Sequence, residues 1–128
     1  MTVISVIVGS TREGRFSDKP AKWILQHLKK REGVDAGLLD LRDFPMPFFD
    51  QPVTPATPGR PPYKNEVVQR WTAAIAQSDG FVFVTPEYNF GPPAVLKKAL
   101  SRCRRSVAVN VVGNRRHAVA DAAAQVRN

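Results

Sequence analysis

The sequence is poor in cysteine, histidine and acidic residues, and it has no long apolar run. Its one cysteine, Cys103, excludes a disulfide within the chain and a cysteine-cluster metal site. A lone thiol fits a reducing compartment, so a cytoplasmic setting is expected. The two histidines, His27 and His117, stand far apart, with no nucleophile or acid patterned beside them. His27 reads as a helix-surface residue and His117 as part of a tail, so no protein acid–base dyad is expected. No apolar stretch approaches the roughly 18 residues that a membrane span needs. The N-terminal MTVISVIVGSTREG has no basic stretch ahead of its apolar run, so a secretory leader is not expected. Neither GxGxxG nor GxxxxGK[ST] occurs, which removes the two commonest nucleotide-loop signatures.

The shortage of acid shows in the balance of 19 Lys and Arg against 11 Asp and Glu, a net +8 over 128 residues. Residues 101–128 carry six arginines against Asp121 alone and hold +5 of that excess. The positive charge therefore belongs to the tail and not to the whole fold. What remains is ordinary: 43% hydrophobic residues are enough for one core in a single domain, taken here as residues 1–128.

Thr2–Val8 (TVISVIV) is a β-branched apolar run, and a strand apolar on both faces suggests a parallel sheet. Asp18 is the expected N-cap, with Pro20 in the first helical turn. Trp23, Ile24, Leu25 and Leu28 then form a helical stripe that closes near Gly33. Val34–Leu41 reads as a second strand. Residues 44–62 hold seven of the eleven prolines and read as a loop whose Phe44, Phe48 and Phe49 pack on the sheet edge. Tyr63–Ser78 returns to helical spacing, with Val67, Val68, Trp71, Ala74 and Ile75 inward. Gly80–Val84 is a strand. Pro92 and Pro93 open a helix continued by Val95, Leu96, Ala99 and Leu100. Ser106–Val112 is a fourth strand, and 115–126 is a last helix. The alternation of strand and helix predicts a doubly wound α/β sheet, helices on both faces.

In such sheets ligands bind beyond the carboxyl ends of the strands. Three segments leave strands there: 9–17, 85–91 and 113–114. Gly9-Ser10-Thr11-Arg12-Glu13-Gly14-Arg15-Phe16-Ser17 is rich in small and hydroxyl residues and leads into a helix. It reads either as a phosphate loop, using amides and the helix dipole, or as an ordinary turn with a solvated arginine pair. Pro86-Glu87-Tyr88-Asn89 follows a buried strand. It reads either as amides presented to a flat heterocycle with Tyr88 along its face, or as a turn in which Glu87 or Asn89 caps the next helix.

The pairing of GSTREGRFS after the first strand with FVFVTPEYNFGPPAVLKKAL later resembles the NADPH-dependent FMN reductase family of flavodoxin-like proteins, over about residues 3–100. That group includes quinone, azo-dye and chromate reductases. The resemblance implies that Ser10, Arg12, Arg15, Phe16 and Ser17 surround the FMN phosphate, some through backbone amides. It implies that Pro86, Glu87, Tyr88 and Asn89 line the isoalloxazine, and that Gly113 belongs to a third flavin-side loop. FMN then carries the chemistry, NADPH is the reductant, and a quinone, flavin, azo compound or metal oxyanion is the acceptor.

The chain departs from the family in places. Phe90-Gly91-Pro92-Pro93 replaces a small polar residue and a single proline. Ser17 stands where related loops often have Asn, and Ser101 where Asp usually follows the helix. From about Ser101 the chain diverges and the family's fifth strand is missing, so a four-stranded sheet is expected. Such a sheet would leave the fourth strand as an exposed edge. A homodimer or homotetramer would cover it; alternatively, the tail is the product of a deletion or frameshift. Two other functions stay open: a protein that holds FMN or an anion without efficient turnover, and a nucleic-acid binder working through the arginine-rich tail. The second is not expected, because the tail lacks interleaved aromatics and any recognised binding motif.

Overall fold

The computed structural model describes residues 1–103 and 110–112. The expected last helix at 115–126, the first part of the expected fourth strand and Gly113 lie outside these residues. The described chain runs β1 (Thr2–Val8), α1 (Asp18–Lys29), β2 (Val34–Asp40), a 3-10 turn (Leu41–Asp43), α2 (Glu66–Ala76), β3 (Gly80–Val84), α3 (Ala94–Leu100) and β4 (Asn110–Val112). The four described strands are all parallel, in the order β2-β1-β3-β4. The doubly wound α/β architecture is therefore present. The chain reverses direction across the sheet between β1 and β3, which makes their carboxyl ends the topological switch point.

The pleat of β1 and β3 sorts their side chains into two cores. Ile7 and Phe83, paired in register, face one side with Leu41, Met46, Val68, Trp71, Leu96 and Ala99. Val6, Val8 and Val84 face the other side with Ala21 and Ile24 of α1. One helix thus covers one face and α2 with α3 the other, giving three layers. Both faces of each central strand are buried, which is why these strands are apolar without alternation.

The helix ends follow local chemistry. Asn65 caps α2, its side-chain oxygen accepting from the Val67 and Val68 amides. Helical spacing reached back to Tyr63, but the two prolines before it and the Asn65 cap delay the helix to Glu66. Tyr63 instead buries its ring and donates its hydroxyl to the Arg102 carbonyl. In α1 the expected cap shifts by one residue. Ser17 takes the N-cap position with no side-chain bond, and Asp18 is the first helical residue.

The proline-rich segment is an ordered strap, and its phenylalanines do not share one environment. Phe44 packs edge-on against Trp71 and Phe49 joins the α2–α3 core, whereas Phe48 is exposed. Packing on the helical layer replaces the expected packing on the sheet edge. Arg102 fastens the strap: buried, it donates at 3.0 Å to the carbonyls of Pro47 and Phe48 and lies over the rings of Phe49 and Tyr63. Carbonyls and aromatic faces solvate its charge where the described residues offer it no carboxylate. Trp71, fully buried, ties α2 to α3 by donating from Nε1 to the Ala99 carbonyl at 3.0 Å. Cys103 sits at the exit of α3, its thiol donating to the Ala99 carbonyl at 3.7 Å. Among the described residues no helix is long and apolar enough to cross a membrane.

Candidate functional site

The switch point brings the first two sequence-selected loops together. The Gly9 amide donates to the Val84 carbonyl at 2.8 Å, fixing the 10–17 loop beside the 85–91 loop. Glycine is required there for space. A Cβ on residue 9 would lie 2.8 Å from the Thr85 Cβ and 3.2 Å from the Leu96 Cδ2. The third loop, with Gly113, lies outside the described residues.

The 10–17 loop is held from beneath by two guanidinium groups. Arg15 folds back under it and donates to the Ser10 carbonyl, to Asp18 at 2.9 Å and to both oxygens of Asp40. Arg42, from the 3-10 turn, donates to the Thr11 carbonyl at 3.4 Å and the Arg12 carbonyl at 2.6 Å. Three successive carbonyls therefore point at arginines. In a trans peptide the N–H of the next residue points the opposite way. The amides of Thr11, Arg12 and Glu13 accordingly face away from the clamp. The Arg12 amide contacts the Ser10 hydroxyl at 3.3 Å, while those of Thr11 and Glu13 have no acceptor among the described residues. The Gly14, Phe16 and Ser17 amides have none either, and Ser17 opens α1 without a side-chain cap. Free amides at the start of a 12-residue helix, with the dipole in the same sense, are donors suited to an anion.

The structure thus separates the two loop arginines. The Arg15 side chain is 4% exposed and its donors are spent on Asp40, Asp18 and Ser10. Arg12 is exposed and has no carboxylate partner among the described residues. Phe16 is exposed beside Lys19, and Ser10 and Ser17 are buried. The Arg15 hydrogen bond holds the Asp40 carboxyl below the usual carboxylate range, although burial pushes the other way.

In the second loop Pro86 is half-buried and Glu87, Tyr88 and Asn89 are exposed. Tyr88 and Gly91 exchange backbone hydrogen bonds at 2.9 and 3.1 Å, closing a two-residue turn on Asn89 and Phe90. Neither Glu87 nor Asn89 caps α3. Pro93 occupies that position, and Asn89 sits in the turn at φ 50°. The amides of Glu87, Asn89 and Phe90 have no acceptor among the described residues.

Asp40 and Arg42 were not among the sequence-selected residues. Their signal was present: β2 ends at Asp40 and the chain leaves it through Leu41-Arg42 at the same carboxyl edge, where a parallel sheet delivers every strand exit. A cavity of about 290 Å³ lies beside the loop on the α3 side, among Thr11, Arg42, Phe44, Val95 and Lys98. The free amides lie at the switch point, so donor chemistry and not cavity size locates the site.

The fold is flavodoxin-like, with its switch point between β1 and β3. The chain belongs to the NADPH-dependent FMN reductase family, which it matches over residues 2–127. It is 42% identical over 97 residues to an NAD(P)H-dependent FMN reductase of Schizosaccharomyces pombe, covering 76% of this chain and 48% of that protein. It is 38% identical over 103 residues to an NAD(P)H-dependent FMN reductase of a Nectria species, covering 78% of this chain and 51% of that one. Among solved structures it resembles FerB, a flavoenzyme NAD(P)H:(acceptor) oxidoreductase from Paracoccus denitrificans. That match has a TM-score of 0.61 and 28% identity over 88% of this chain and 60% of that one. The chain spans about half the length of the curated relatives it matches.

Proposed function

We propose that this chain binds FMN at the β1–β3 switch point and acts as an NAD(P)H oxidoreductase that passes electrons to a small acceptor. The acceptor classes are quinones, flavins, azo compounds and metal oxyanions. The observation that carries the reading is the row of free amides on the 10–17 loop, turned outward by two arginines that consume its carbonyls. That donor set fits the FMN phosphate. Ser10, Phe16 and Ser17 shape the cradle, and Arg12 supplies the cation. Arg15 serves it from beneath, as the residue that sets the loop. Pro86, Glu87, Tyr88 and Asn89 line the flat ring, and the free amides of that turn donate to its polar edge. When bound, FMN supplies the hydride and electron chemistry. The protein holds, orients and shields it. Gly113 enters this reading through the family resemblance alone. A homodimer or homotetramer belongs to the same reading through the family resemblance.

The test compares FMN with riboflavin, which lacks the phosphate. Equilibrium dialysis should give a Kd for FMN about 100-fold lower, the worth of two charge-assisted hydrogen bonds. Equal affinities would remove the 10–17 loop from the site.

A further inference from the structure

Phe90 combines two features that oppose each other. Its backbone lies at φ 65° and the residue is 95% exposed. In that region an L-residue crowds its Cβ against the following carbonyl, and a bulky aromatic there is an outlier. The turn imposes the geometry. A two-residue connection closed by reciprocal Tyr88 and Gly91 bonds requires positive φ at both central positions. Asn89 tolerates this, and glycine is the residue that would relieve the second position. The phenyl ring gains almost no burial within the described structure to offset the strain. Strained residues of this kind persist where they meet a ligand. Tyr88, on the same turn, is exposed as well.

We infer that Phe90 is a specificity-determining residue. Its ring forms a wall against which a planar aromatic acceptor of the quinone class packs as it approaches the site. This rests on the function proposed above. A flat ring stacks offset on the phenyl face, and its apolar area leaves water in the same contact. A compact inorganic oxidant has no such flat face. The exchange balances as NADPH, one proton and the quinone giving NADP+ and the hydroquinone.

The experiment uses the full chain loaded with FMN, with Phe90→Gly and Phe90→Tyr. Redox-inert 2-naphthol is titrated while flavin absorption is followed. The Kd should rise about fivefold in Phe90→Gly and stay near wild type in Phe90→Tyr. In turnover, the ratio of kcat/KM for a benzoquinone over ferricyanide should fall about fivefold in Phe90→Gly and recover in Phe90→Tyr. Relief of strain should also raise the Tm of Phe90→Gly by about 3 °C, showing that the loss is not one of folding. An unmoved naphthol Kd and an unmoved ratio overturn the contact while the function stands. A wild type that neither retains FMN nor oxidises NADPH with ferricyanide overturns the function, and the contact with it.

Discussion

Removing the charge of Asp40 tests how the 10–17 loop is held. The carboxylate accepts from two nitrogens of Arg15, one at 2.8 Å, and from the Arg42 amide at 2.9 Å. Asp40→Asn keeps the shape and one neutral acceptor but leaves Arg15 with Asp18 as its only carboxylate among the described residues. Breaking a fully buried pair on one side loses about 3–5 kcal/mol. Here Asp40 keeps 19% side-chain exposure and Asp18 40%, so water and the second acid reduce the loss to about 2 kcal/mol. The folded-state pKa of Asp40 lies below its unfolded value, chiefly through the Arg15 hydrogen bond. Its contribution is therefore complete above about pH 4 and is lost as the pH falls through the folded pKa. Urea unfolding at pH 7 should place wild type about 2 kcal/mol above Asp40→Asn, and the two should converge on further acidification below about pH 4. A gap under about 0.5 kcal/mol at pH 7, or one that acid leaves unchanged, refutes the clamp.

Three further outcomes follow from the same geometry. Gly9→Ala sets a methyl 2.8 Å from the Thr85 Cβ, so it should separate the two site loops. FMN titration should show affinity falling by at least about tenfold, and unchanged affinity would show that the loops have room to spare. Arg12→Ala should weaken FMN by about 1.5–3 kcal/mol and riboflavin not at all; equal loss on both ligands would take Arg12 off the phosphate. Burial pushes the Cys103 thiol up to about 11, against a weaker opposing effect from Trp71. Iodoacetamide should therefore label folded protein at pH 8 far more slowly than urea-unfolded protein, and equal rates would contradict its burial.

Much of the fold was legible because β1 and β3 are apolar on both faces. Only a strand covered on both sides reads that way, and the bounds Thr2–Val8 and Gly80–Val84 coincide with the strands seen. Helix limits were less legible. Spacing reports which residues face inward, and Tyr63 faces inward from a loop as well as from a helix. The proline-rich strap was visible as a loop, but not its anchor. Arg102 counted only as one of the tail arginines, since sequence gives no sign of the carbonyls of Pro47 and Phe48 closing over it. In the site, the two loops were legible as strand exits rich in small and polar residues. The division of labour between Arg12 and Arg15 was not. It depends on Asp40, which is 25 positions away and arrives only when β2 pairs with β1.

The proposed flavin site depends on the 10–17 and 85–91 loops working together. The most direct measurement is the visible absorption spectrum of the protein after FMN is added and excess removed, followed by NADPH. Retained flavin bands that NADPH bleaches are the predicted result. Loss of the bands on filtration, or retained bands that NADPH leaves unchanged, would contradict it.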